Sequence, residues 1–101
     1  MTNEQNAKIC HLLAGYEVQV SPAGKWYVVT GDETKLMPDF ETDSAETLST
    51  VEALCKSRGY SFSVVGTPSL HYMARVHKAW ASCITITSAV AHCLLQIAEG
   101  G

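Results

Sequence analysis

No apolar run in this chain approaches the roughly 20 residues needed to cross a bilayer. Its first residues, Met1-Thr2-Asn3-Glu4-Gln5-Asn6, hold neither the cationic nor the apolar region of a secretory signal. A cytoplasmic protein is therefore expected, with no membrane partner. Gly15, Gly24, Gly31, Gly59 and Gly66 stand singly, and neither GxGxxG nor GxxxxGKS/T occurs. Gly-rich phosphate loops are thereby excluded. A GxSxG nucleophile elbow and an HExxH zinc motif are equally lacking. Cys10, Cys55, Cys83 and Cys93 form no CxxC pair, and in a reducing compartment they read as small buried hydrophobes. No basic excess is present either. The net charge of -3 argues against a general binder of phosphate backbones, so duplex nucleic acid is not an expected partner.

What is present is enough for one domain spanning 1–101, with 47% hydrophobic residues and no need of metal or disulfide staples. Thr2 and Gln5 make a capping box ahead of a helix that buries Ala7, Ile9, Cys10, Leu13 and Ala14. Glu4, Lys8 and His11 face outward, with Glu4 and Lys8 spaced to pair, and Gly15 ends the helix. Tyr16–Val20 alternates, Ser21-Pro22-Ala23-Gly24 is turn chemistry, and Lys25–Thr30 is rich in aromatic and β-branched residues, giving a hairpin. Gly31 to Asp43 reads as a long loop. Asp43 with Glu46 predicts a second capping box, for a helix with a stripe of Leu48, Val51, Leu54 and Cys55 and a stop at Gly59. A second hairpin joins Tyr60–Val65 to a strand near Leu70–Lys78, and a connection through Trp80 and Cys83 leads to a last helix ending near Glu99. The expected order is αββαββα: an α+β fold with one antiparallel four-stranded sheet packed with three helices.

The last helix is apolar round most of its circumference. Ala89, Val90, Cys93, Leu94, Ile97 and Ala98 form one stripe, while Ala91 and Leu95 extend it to the far side. Two covers are thus expected: the sheet, and either a second copy of the chain, making a homo-oligomer, or deeper placement within the monomer.

Several segments together resemble the phage α-β-α sandwich family, small proteins of bacteriophages and prophages. They are Ile9-Cys10-His11-Leu12-Leu13-Ala14-Gly15-Tyr16, Pro38-Asp39-Phe40 with Thr42-Asp43, Val51-Glu52-Ala53-Leu54 with Arg58-Gly59-Tyr60, and Ala89-Val90-Ala91-His92-Cys93-Leu94-Leu95. Leu70–Cys83 departs from the resemblance. The likeness implies a phage origin and a sheet covered by helices, and it supplies no catalytic residues.

Three constellations remain. Asp39, Glu41 and Asp43 alternate as in a cation loop, but an EF-hand needs Gly and Glu where Ser44 and Thr50 stand. They read as a solvated, helix-capping loop, and no metal or cofactor is expected. Neither Cys10-His11 nor His92-Cys93 can chelate as a pair, because helical neighbours point about 100° apart. On the fourth strand, alternation sets His71, Met73, Arg75 and His77 on one face. With Lys25, Tyr27 and the nearby Trp80 they could hold a small anionic ligand such as a nucleotide, with Arg75 on a phosphate and an aromatic ring on a base. The simpler alternative is the wet face of an antiparallel sheet. The expected function is a non-catalytic, phage-encoded anti-defence protein that sequesters a nucleotide messenger of the bacterial host. The alternative is a phage protein–protein module, acting through the last helix, that inhibits a host defence enzyme or serves as a small accessory phage protein.

Overall fold

The computed structural model describes residues 1–100. Helix α1 (Asn3–Ile9) starts at the predicted box: the Thr2 side chain accepts from the Gln5 amide at 3.1 Å, and the Gln5 side chain accepts from the Thr2 amide at 2.8 Å. The helix then widens to a π turn over Cys10–Ala14 and stops at Gly15, whose φ of 72° places it in the left-handed region. The outward Lys8 does not take Glu4. Its Nζ lies 3.5 Å from Glu99 of the last helix instead.

Three strands follow, not two: β1 (Glu17–Val20), β2 (Trp26–Thr30) and β3 (Glu33–Leu36), in the order β1-β2-β3. The expected long loop therefore contains a strand. Gly31 and Asp32 form a two-residue turn between paired Thr30 and Glu33, with Gly31 at φ 66°. β3 was hidden because Glu33-Thr34-Lys35-Leu36 is charged and exposed throughout, as suits a short edge strand.

Helix α2 (Ser44–Arg58) realises half of its box. Asp43 accepts from the Glu46 amide at 3.1 Å, but the Glu46 carboxylate accepts from Tyr16 Oη at 3.0 Å and from Lys35 Nζ instead. Its buried stripe is Thr47, Thr50, Val51 and Leu54; the expected Leu48 is exposed and Cys55 is half-buried. The rotation has a polar cause. Thr47 Oγ1 donates to the Phe40 carbonyl at 2.6 Å, and Asn6 Oδ1 accepts from the Phe40 amide at 3.1 Å. Phe40 itself is completely buried. These bonds satisfy backbone groups that would otherwise be orphaned inside the core.

The second sheet is β4 (Phe62–Gly66), β5 (Tyr72–Val76) and β6 (Ala79–Cys83), in that order and antiparallel throughout. β6 occupies the expected connection. The expected four-stranded sheet is therefore replaced by two separate three-stranded sheets, and no strand pair joins them. Element order becomes α-βββ-α-βββ-α within an α+β domain of 46 × 28 × 22 Å.

Helix α3 (Ile86–Ala98), capped by Thr85, packs on β5 and β6 and also against α1, the π turn and α2. That double cover accounts for its composition. Ala89, Val90, Ala91, Cys93, Leu94 and Leu95 are all buried, joined by Ala74, Val76, Ile9, Val51 and Leu54 in one core. Ala91 and Leu95, expected at an oligomer interface, are 0% and 7% exposed within the single chain. They are not available to a second copy, and of the two expected covers the monomer supplies both. No helix is long and apolar enough to cross a membrane among the described residues.

Candidate functional site

The register of the second sheet defines its faces, because residues directly opposite on antiparallel strands share a side. Val64, Ala74 and Ala81 stand opposite one another, as do Phe62, Val76 and Ala79, on the face from which β5 and β6 pack against α3. The outer face carries Ser63, Arg75 and Trp80 in one row, and Val65, Met73 and Ser82 in the next. All six are exposed. The face is thus uncovered, and its alternation on β5 follows the expected phase: Ala74 and Val76 inward, Met73 and Arg75 outward.

Arg75 and Trp80 are therefore cross-strand neighbours, with Cβ atoms about 4.5–5.5 Å apart by sheet geometry. Trp80 is 56% exposed. Its backbone is pinned, since its carbonyl accepts from Gln96 Nε2 of α3 at 2.7 Å. Arg75 belongs to none of the ion pairs among the described residues. The paired strands thus present an unpaired guanidinium beside an open indole. The pair suits a planar ring that also bears an anionic group, because the fork binds oxygens bidentately and the indole offers a stacking surface.

The other expected site residues lie elsewhere. Tyr27 is on β2 of the first sheet, facing outward between Gln19 and Leu36, and Lys25 is in the β1–β2 turn. They do not join Arg75 and Trp80, because the strands form two separate sheets rather than one. His71 sits at the β4–β5 loop, with Nδ1 3.0 Å from the Ser69 carbonyl. His77 has left the strand: at φ 55° it opens the two-residue β5–β6 turn with Lys78. Its ring stacks on Tyr60 at 4.2 Å and 9°. Sequence reasoning missed Tyr60 and Arg58, whose guanidinium lies 5.8 Å from the same ring.

The acidic loop has structural work. Asp39 Oδ1 accepts from the Glu41 amide at 3.1 Å, and Asp43 caps α2. Glu41 takes the Met1 α-amino group, Ser88 Oγ at 3.2 Å and His92 Nε2 at 3.1 Å. The Met1 and His92 bonds, and the Ser88 hydroxyl after them, hold its carboxyl below the ordinary range. Among the described residues no three His, Cys, Asp or Glu side chains converge on a metal-sized space. Burial pushes the Cys10 thiol up to about 12 and raises that of Cys93, which donates to the Ala74 carbonyl at 3.3 Å. Neither is poised as a thiolate. A shallow groove of about 260 Å³ on α2, lined by Ser49, Glu52, Ala53 and Lys56, is spanned by the 2.8 Å Lys56–Glu52 ion pair. It leaves no free cation there.

Comparison with protein-family models, with curated proteins and with solved structures finds no match for this chain.

Proposed function

We propose that the chain is a non-catalytic binding protein whose outer second-sheet face holds a nucleotide-type ligand. The observation that carries this is the unpaired Arg75 directly opposite the exposed Trp80 on an uncovered face. The base stacks on Trp80 and a phosphate is taken by Arg75, with Ser63 and Ser82 as flanking hydroxyl donors. No acid–base pair or nucleophile adjoins them on this face, whose remaining side chains are Val65 and Met73. Holding the ligand is therefore favoured over converting it. The resemblance to phage α-β-α sandwich proteins supplies the setting: a phage product that withdraws a nucleotide messenger from the defence of its bacterial host.

The test is a thermal-shift panel of mono-, di- and cyclic nucleotides against the intact chain. A true ligand at about 100 times its Kd adds about 2.7 kcal/mol to stability. Trp80→Ala and Arg75→Gln are each expected to abolish the shift while leaving the unliganded melting point unchanged, since both side chains are exposed. No shift with any nucleotide sinks the proposal. Recovery of hydrolysed ligand after denaturing the protein would replace holding with catalysis.

A second reading rests on the apolar part of the same region. Leu70, Val65 and Met73 are 85%, 53% and 42% exposed, which suits a protein partner better than a small anion. In that case Met73→Lys would release a host protein and leave nucleotide shifts intact.

A further inference from the structure

The charges of this chain are segregated. Nine of its ten acidic residues precede residue 53, and none lies between residues 53 and 98, where Lys56, Arg58, Arg75 and Lys78 are found. The second sheet therefore contains no carboxylate on any strand. The net charge of -3 conceals a segment, residues 53–98, in which every charged residue is cationic.

The free cations of that half gather at one end of the sheet. Lys8, Lys35 and Lys56 are each paired with a carboxylate, whereas Arg58, Arg75 and Lys78 are in none of the ion pairs among the described residues. Arg58 Nη1 donates to Tyr60 Oη at 3.5 Å, and the His77 ring stacks on the same tyrosine at 4.2 Å. Lys78 is the next residue of the turn, and Arg75 precedes His77 by two on β5. The path from Trp80 and Arg75 round the β5–β6 turn to Arg58 thus passes no acidic residue of the second sheet. The position of Arg58 has a simpler account, since cations near a helix C-terminus complement the helix dipole. That account reaches neither Lys78 nor Arg75, and it does not explain the missing acids.

Resting on the Arg75–Trp80 reading above, we infer that the ligand is a single-stranded oligonucleotide rather than a mononucleotide. A single phosphate occupies one guanidinium. Arg75 and the Lys78–Arg58 end accommodate successive phosphates, while Trp80 stacks a base, the combination by which single strands are held without a groove for a duplex.

The test is fluorescence anisotropy of labelled hexathymidylate with the full chain across a series of salt concentrations, with thymidine monophosphate as a competing ligand. Hexathymidylate should bind at least about tenfold more tightly than the monophosphate. Its log–log salt slope should be about -2, from about 0.7 per phosphate neutralised at three cations. The double variant Arg58→Gln, Lys78→Gln should lower that slope by about 1.4 and leave the inhibition constant of the monophosphate unchanged. If hexathymidylate and the monophosphate bind equally, with a slope of about -0.7, the oligonucleotide inference falls and the Arg75–Trp80 site stands. If neither binds, both fall. The slope of the unaltered protein decides the matter even where a variant fails to fold.

Discussion

At Leu70 the backbone takes φ 61° in the β4–β5 loop, with the side chain 85% exposed. A left-handed conformation costs an L residue about 1–2 kcal/mol, and an exposed leucine recovers little of it by packing. The loop imposes it: the Leu70 amide donates to the Thr67 carbonyl at 3.1 Å, and the Thr67 amide to the His71 carbonyl at 2.8 Å. Glycine is the residue such a three-residue hairpin ordinarily uses. Leu70→Gly should therefore raise unfolding free energy by about 0.5–1 kcal/mol in a urea titration, the relief being partly offset by glycine's larger entropy loss on folding. A loss of stability would show that the leucine packs against the sheet. Pro68 marked this turn in the sequence. The strained positions, Leu70 and His77, were not legible, because neither carries the glycine that normally advertises positive φ.

Among the elements, the buried contact between the loop before α2 and its neighbours is the most sensitive. Asn6, Phe40 and Thr47 are 4%, 0% and 0% exposed and are joined by two hydrogen bonds to the Phe40 backbone. Thr47→Val keeps the volume but leaves the Phe40 carbonyl without a partner, at a cost of about 1–3 kcal/mol. Asn6→Ala should cost a similar amount, and the double variant less than the sum, since both act on one loop. Chemical denaturation of the three proteins measures this, and strict additivity would contradict a shared network. This site could not be read from hydrophobic spacing. Threonine and asparagine count as polar, so the apolar stripe of α2 was placed on Leu48, which the structure exposes. β3 and β6 escaped for the same kind of reason: Glu33-Thr34-Lys35-Leu36 and Ala79-Trp80-Ala81-Ser82-Cys83 carry little of the β-branched signal that marked β2.

For the whole molecule, α3 is the axis on which the helices and the second sheet meet, and Glu41 ties it to the acidic loop through Ser88 and His92. The folded carboxyl of Glu41 lies below its ordinary value of 4.5, chiefly through the Met1 amine. Its contribution to stability is thus present above about pH 4.5 and lost as pH falls through the folded value. Glu41→Gln should lower stability at neutral pH, and the two stability curves should converge in acid. Parallel curves across that range would show that the carboxylate adds no pH-dependent stability. Segregated charge also acts at this scale. Net charge alone argues against a polyanionic ligand, whereas the distribution of charge along the chain is what motivates the oligonucleotide proposal for the second sheet.

The amino-acid order by itself determined the positions of the three helices, the caps at Thr2 and Asp43, the stops at Gly15 and Gly59, and the alternation that turns Arg75 outward. All of these depend on backbone groups and side chains a few residues apart. Only the tertiary structure decided that six strands divide into two sheets, that Lys25 and Tyr27 stand apart from Arg75, and that Ala91 and Leu95 are covered within one chain. Those outcomes depend on which distant surfaces exclude water together, and periodicity within a segment carries no information about its partner.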